Sequence, residues 1–242
     1  MKVIVCKNYE EMSKKGYEVI KEVMNDTCGK AILGLATGST PIGLYQNMVA
    51  DFKAGNVSYK NAQSVNLDEY VGLDKTHDQS YYYFMHDNLF DHIDIDETNV
   101  NLPNGNTTDM QKACDDYTAL LATKQQDVQV LGIGSNGHIG FNEPGTAFDS
   151  TTHIVTLHEG TRKDNARFFA SLDEVPTHAI TMGIANIMNA KKILVLASGK
   201  GKANAVSAMV QGKVDPSCPA SVLQNHPDVV VVVDEDAASL LK

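Results

Sequence analysis

Short solid apolar runs alternate along the chain with stretches whose apolar residues recur every three or four positions. The runs KVIVC (2–6), AILGLA (31–36), SVNL (64–67), VQVLGIG (128–134), HIVTL (153–157), KILVLAS (192–198) and DVVVVVD (228–234) read as strands, and NVNLPNGN (99–106) reads as a strand entering a turn. The helical spacing predicts helices over about 9–24, from Pro41 to near Gly55, over 81–90, over 109–123 and from Lys202 to Gly212. HAITMG (178–183) is expected to lead into a further short helix. Runs that are apolar throughout, rather than alternating, suit strands buried on both faces. Strand–helix alternation then implies an α/β fold, a mostly parallel sheet with helices on both sides. The polar stretch 157–176, LHEGTRKDNARFFASLDEVP, contains a helical pattern and reads either as a lid over a site or as a crossover connection.

Length and charge narrow the functional classes. The 242 residues suit one large α/β domain better than two small ones. A net charge of -10, from 30 acidic and 20 basic residues, argues against nucleic acid and against an anionic membrane surface as partner. It leaves room for a small anion held by a few local cations. The four cysteines, Cys6, Cys28, Cys114 and Cys218, lie far apart, which suggests neither a zinc site nor a disulfide framework. Reduced thiols in a cytoplasmic protein are the simplest expectation. The start, MKVIVCKNYEEMSKK, has too short an apolar run for a signal peptide, and no stretch is apolar for long enough to span a membrane.

Four strands end in chemically loaded segments, and open α/β sheets bind ligands beyond the carboxyl ends of their strands. After LGLA comes TGSTP, where Pro41 suits a first helical position and Thr40 suits the N-cap. Gly38, Ser39 and the N–H groups of that helix start either cradle a phosphate or simply cap a helix. After LVLAS comes GKGK, where Lys200 and Lys202 stand against the helix dipole. They are solvated lysines or, in the case of Lys202, a phosphate contact. After SVNL come Asp68 and Glu69, whose side chains leave an extended backbone on opposite sides. One of them reaches the site, as a general base, a metal ligand or a helix-capping acid.

The fourth segment, GIGSNGHIGFNEPG (132–145), contains the spacing G-x-G-x-x-G. A dinucleotide fingerprint should open a helix and belong to a βαβ unit with an acidic residue about 20 positions on. Here two further glycines and a proline follow Gly137, and only Asp149 lies near the required acid. The glycines instead suit a tight turn that presents His138, with Asn136, Asn142 and Glu143 beside it. A histidine and a glutamate on one constrained loop fit acid–base chemistry; a structural histidine is the alternative.

The segments LGLATGSTP, NLDEYVGL, SYYYFM, NLPNGN, GSNGHIGFNEP, TRKDNARFF and SVLQNHP, in this order over essentially the whole chain, resemble the glucosamine-6-phosphate deaminase family. The resemblance implies a modified Rossmann-like fold over 1–242 as one domain. It also implies conversion of glucosamine 6-phosphate and water to fructose 6-phosphate and ammonia, with no metal and no redox cofactor. By the same resemblance His138 would open the pyranose ring, Glu143 and Asn136 would orient and tune it, and Asp68 would move a proton from C2 to C1. Gly38, Ser39, Thr40, Arg167 and Lys202 would hold the phosphate. Some members carry Asp where this chain has Asn136, so Glu143 is left to supply charge to His138. Allosteric members carry an effector-site Arg where this chain has His153, which points to a monomer or small homo-oligomer active without an effector. The partner expected is thus a small amino-sugar phosphate. Alternatives on the same fold are a 6-phosphogluconolactonase, a pentose-phosphate isomerase or a sugar-phosphate sensor without turnover.

Overall fold

The structure, a computed structural model, describes residues 1–157, 169 and 171–242. Ten strands are described. They are β1 (Lys2–Cys6), β2 (Ile32–Leu35), β3 (Gln63–Asn66), β4 (Asp68–Tyr70), β5 (Val100–Asn101), β6 (Val128–Leu131), β7 (His153–Thr156), β8 (His178–Thr181), β9 (Ile193–Ala197) and β10 (Val229–Asp234). Among the described residues the helices are α1 (Tyr9–Asp26), α2 (Ile42–Lys53), α3 (Tyr81–Asn88), α4 (Met110–Thr123), α5 (Ile184–Met188), α6 (Ala203–Gln211) and α7 (Glu235–Ala238), with several short 3-10 turns.

Seven strands form one parallel sheet in the order β1-β10-β9-β6-β2-β3-β5. The apolar runs explain it: β6, β9 and β10 are buried at every position, as two-faced strands must be. One face packs on Met12, Ile20, Leu44, Tyr45 and Met85 from α1, α2 and α3. The other packs on Tyr117, Leu121, Ile187, Val206 and Met209 from α4, α5 and α6. Polar side chains set the helix starts. Asn8 accepts from Glu11 N at 2.9 Å, Ser80 from Tyr83 N at 3.0 Å and Asp109 from Lys112 N at 2.9 Å.

From β2 the chain builds towards β3 and β5 on one side, then returns to build β6, β9 and β10 on the other. The crevice between β2 and β6 is therefore the topological switch point, where open α/β sheets bind ligands.

HAITMG leads into α5, with Gly183 at its N-cap, as expected, and its first four residues, His178–Thr181, also form the central strand of a second sheet, antiparallel, of order β4-β8-β7. One expectation is corrected here: Thr40 is not the N-cap of α2; Pro41 occupies that position and the helix begins at Ile42. Proline supplies no capping side chain, so the brace comes from elsewhere. The Tyr9 hydroxyl accepts from Gly43 N at 2.8 Å and lies 3.1 Å from the carbonyl oxygens of both Ser39 and Thr40. Most of the 157–176 stretch, read as a lid or crossover, lies outside the described residues, as does Arg167.

Candidate active site

The four polar strand ends meet in one cavity of about 340 Å³, a size suited to a small-molecule ligand. Thr37, Gly38, Ser39 and Thr40 line it after β2, Asp68 and Tyr81 after β3, Gly134, Ser135 and His138 after β6, and Lys202 after β9. The structure thus gathers every candidate residue that it describes, except Asn136 and Glu143, which stand behind His138.

Asp68 and Glu69 part as an extended backbone requires. β3 leaves the parallel sheet through Leu67, whose N–H donates to Leu35 O at 3.1 Å. Asp68 then enters the small sheet opposite Thr181. Its carboxyl faces the cavity and is nearly buried, 6% exposed. No hydrogen-bond donor among the described residues reaches it. Burial, with the neighbouring Glu69 carboxylate adding to it, pushes the Asp68 carboxyl up to about 8. Glu69 turns the other way and becomes the helix-capping acid. It accepts from Tyr81 N at 2.9 Å and Tyr82 N at 2.8 Å, at the start of α3, and from Tyr70 N at 2.8 Å. Burial raises the Glu69 carboxyl too, and these three N–H groups pull against it.

The loop after β6 is a set of tight turns, not a helix start, so the G-x-G-x-x-G spacing serves another end. Gly134 N donates to His138 O at 2.9 Å and Gly137 N to Gly134 O at 3.0 Å. The His138 ring lies directly over Gly134, where a Cβ would come within 2.2 Å of it. Only glycine lets the imidazole lie down on the backbone there. Glu143 and Asn136 hold the ring from behind. Asn136 Nδ2 donates to Glu143 Oε2 at 2.7 Å, and Asn136 Oδ1 accepts from His138 N at 3.2 Å. Glu143 Oε1 stands 3.4 Å from His138 Nδ1, close enough for charge to act without an aligned hydrogen bond. Asn136 therefore fixes the Glu143 carboxylate beside the ring. Nε2 is left as the ring nitrogen on the side away from Glu143.

On the opposite side of the cavity, Lys202 closes a 3-10 turn over Lys200–Lys202 that runs into α6. Asp234, at the end of β10, shapes this loop. It accepts from Ser198 Oγ at 2.5 Å, from Gly199 N at 3.0 Å and from Ala237 N at 2.8 Å. Burial alone would raise its carboxyl; those donors outweigh it and hold the group below the usual carboxylate range. Sequence reading passed over Asp234, Tyr9 and Tyr81. An aspartate closing a valine run was the available signal for the first. Tyr81, inside SYYYFM, forms an aromatic wall by stacking parallel to Phe141, with ring centroids 6.2 Å apart, and leaning on Tyr70 at 4.7 Å.

Strand ends that collect a glycine- and serine-bearing helix start, a buried carboxyl and a histidine–carboxylate loop define a Rossmann-like α/β enzyme class with its crevice at the switch point. The chain belongs to the family of glucosamine-6-phosphate isomerases and 6-phosphogluconolactonases, whose family model matches residues 7–232. It is 51% identical to a glucosamine-6-phosphate deaminase of Clostridium novyi over 244 residues, covering 100% of both chains. It is 49% identical to the corresponding protein of Thermoanaerobacter pseudethanolicus, over 100% of this chain and 95% of that one. Among solved structures, a monomeric glucosamine-6-phosphate deaminase superposes with a TM-score of 0.96 at 46% identity, covering 99% of this chain and 100% of that one. The 6-phosphogluconolactonase of Trypanosoma brucei superposes at a TM-score of 0.83 with 20% identity, over 100% of this chain and 98% of that one, which shows the shared fold.

Proposed function

We propose that this protein converts glucosamine 6-phosphate and water to fructose 6-phosphate and ammonia. The observation that carries this reading is one cavity holding Asp68, His138 and Lys202 on a chain about half identical, end to end, to deaminases of that substrate. In this reading Lys202 and the Gly38–Thr40 loop hold the phosphate, with Arg167 joining them from outside the described residues. His138 moves a proton between the C1 hydroxyl and the ring oxygen and so opens the pyranose. Glu143 stabilises the imidazolium formed on the way, through the 3.4 Å approach to Nδ1. Asp68 then takes the C2 proton as the C1 carbonyl becomes an enol, giving an enolamine, and returns it to C1. The resulting C2 imine adds water and expels ammonia. The two proton transfers occur at different atoms of the sugar, so two acid–base groups are required, and each such group typically contributes ~10²–10⁴-fold. Asp68 suits a carbon acid: a carboxylate without donors is a stronger base than a solvated one.

The same reading treats 1–242 as one catalytic domain and the chain as a monomer or small homo-oligomer. The monomeric relative and His153 in place of the effector-site Arg support it. No helix among the described residues is long and apolar enough to cross a membrane. The cytoplasmic expectation is kept on the four cysteines, all free thiols.

Ammonia release from glucosamine 6-phosphate, assayed with EDTA present and beside Asp68→Asn, tests the proposal. The wild type should yield ammonia and fructose 6-phosphate in equal amounts, and the variant neither. A folded wild type that binds the sugar phosphate without turnover would replace the enzyme with a sensor.

A further inference from the structure

One strand end touches both halves of the acid–base machinery. β8 closes at Thr181, which pairs with Asp68 across the small sheet and is fully buried. The Thr181 hydroxyl accepts the Phe141 backbone N–H, in the His138 loop, at 3.1 Å. The next residue, Met182, donates its N–H to Leu67 O at 2.6 Å, immediately before Asp68. Met182 O in turn accepts from Asn142 Nδ2 at 2.9 Å, and the same amide donates to Ile139 O at 2.9 Å. Asn142 is fully buried, and its Oδ1 has no partner among the described residues. An apolar residue of that size would not leave a desolvated acceptor, so packing alone does not explain the amide. Gly140 sits between the two groups at φ +57°, where a Cβ would stand 3.1 Å from Thr181 Oγ1 and 3.5 Å from Asp68 Oδ2. The His138 loop therefore lies against the Asp68 strand with no side chain between them.

We infer that Thr181 and Asn142 are positioning residues that fix the Asp68 carboxyl relative to the His138 imidazole. The inference rests on the deaminase reading above. Its physical basis is that both groups must address adjacent atoms of one bound sugar, and a misplacement of about 1 Å can cost up to ~10²-fold in rate. The two groups reach the cavity from different sheets, and the Thr181–Met182 end of β8 is bonded to both sides. Neither Thr181 nor Asn142 lines the cavity, so neither acts on substrate itself.

The test compares Thr181→Val, which keeps the shape and removes the acceptor, with Thr181→Ser, which keeps the hydroxyl. Turnover is measured with glucosamine 6-phosphate and with its C2-deuterated form, and active-site concentration is counted by fructose 6-phosphate binding without ammonia. The expected result for Thr181→Val is a roughly 10–100-fold fall in kcat, KM within about twofold, full binding stoichiometry and a larger C2 isotope effect. Thr181→Ser should restore wild-type values. Should Thr181→Val not fold, Asn142→Ala is read in the same way. Unchanged kcat and isotope effect in a folded variant would overturn the inference, as would a loss accounted for by fewer binding sites. A wild type without ammonia release would overturn the deaminase reading, and this inference with it.

Discussion

The parallel sheet and the small antiparallel sheet contribute different physics to one cavity. The parallel sheet offers loops at strand ends: Gly38 and Ser39 are exposed, Lys202 is half-buried, and hydrogen bonds to backbone and to Asp234 hold them in shape. Such groups stay solvated until a ligand arrives and keep their charge. The small sheet offers Asp68, nearly dry and with no donor among the described residues, its carboxyl pushed up to about 8 by burial and the Glu69 charge. The chain crosses from one sheet to the other at Leu67, a single residue before Asp68. In the deaminase reading, phosphate binding and C2 proton transfer thereby fall to separate layers, while His138 brings ring opening to the parallel one. Substitutions in the Gly38–Thr40 and Lys202 loops should act on binding, and substitution of Asp68 on turnover.

The largest effect expected is in the small sheet. Asp68→Asn should lower kcat by ~10²–10⁴-fold while leaving KM within a few-fold, as measured by steady-state ammonia release. A rise in KM of similar size would erase the distinction between the layers. Lys202→Ala, in the parallel layer, should do the reverse, raising KM by ~10–100-fold, the loss of roughly 1.5–3 kcal/mol from a charged hydrogen bond. Inorganic phosphate should then inhibit the variant more weakly than the wild type.

Glu69→Gln sharpens the contrast within one dipeptide. It keeps one accepting oxygen but replaces the other with an NH2 group, which cannot accept an N–H, at a buried helix start. Chemical denaturation should show a loss of about 1–3 kcal/mol, with activity following stability and not the chemistry.

The pH response is the most specific effect. The Asp68 carboxyl titrates at 3.8 in its ordinary state and at about 8 in the fold. Between those values the folded chain holds a proton that the unfolded chain has released, so stability falls as pH rises through the window. Asp68→Asn cannot ionise and escapes that fall. Its Tm advantage over the wild type should be small near pH 4 and grow to several degrees above pH 8. The base works only when ionised, so wild-type kcat/KM should climb as pH approaches about 8. A flat kcat/KM between pH 6 and 9 would place Asp68 in a wetter setting than the cavity gives it.

The same contrast explains what the sequence discloses. The central strands β9 and β10 are almost wholly apolar because helices cover both faces, and solid runs such as DVVVVVD announce them. The convergence of TGST, DEY, SNGH and KGK follows from strand polarity alone. The small sheet gives a weaker signal: HIVTL reads as a strand and becomes β7, while β4 and β8 are not announced. His178–Thr181 is four residues with a half-exposed histidine at its head, and its partners lie at Asp68–Tyr70 and His153–Thr156. The helix that follows at Ile184 was legible; a strand of only four residues ahead of it was not. The opposed directions of Asp68 and Glu69 were legible from backbone geometry, since alternation is a local rule. Thr181, Asp234 and Tyr9 were not, because each acts on a loop distant in sequence, and ordinary residues carry no mark of the partner they will meet.

The position of β1 has a consequence for how the molecule comes into being. Its neighbour in the sheet is β10, with Lys2 opposite Val230. Among the described strands β1 leaves the ribosome before the others and therefore waits, bearing the apolar residues Val3, Ile4 and Val5, until β10 has followed it. Pairings of such long sequence separation form late and slowly. The seven-stranded sheet can be completed only after synthesis has passed β10, and during that interval the unpaired first strand is the segment that a chaperone or a neighbouring nascent chain would meet.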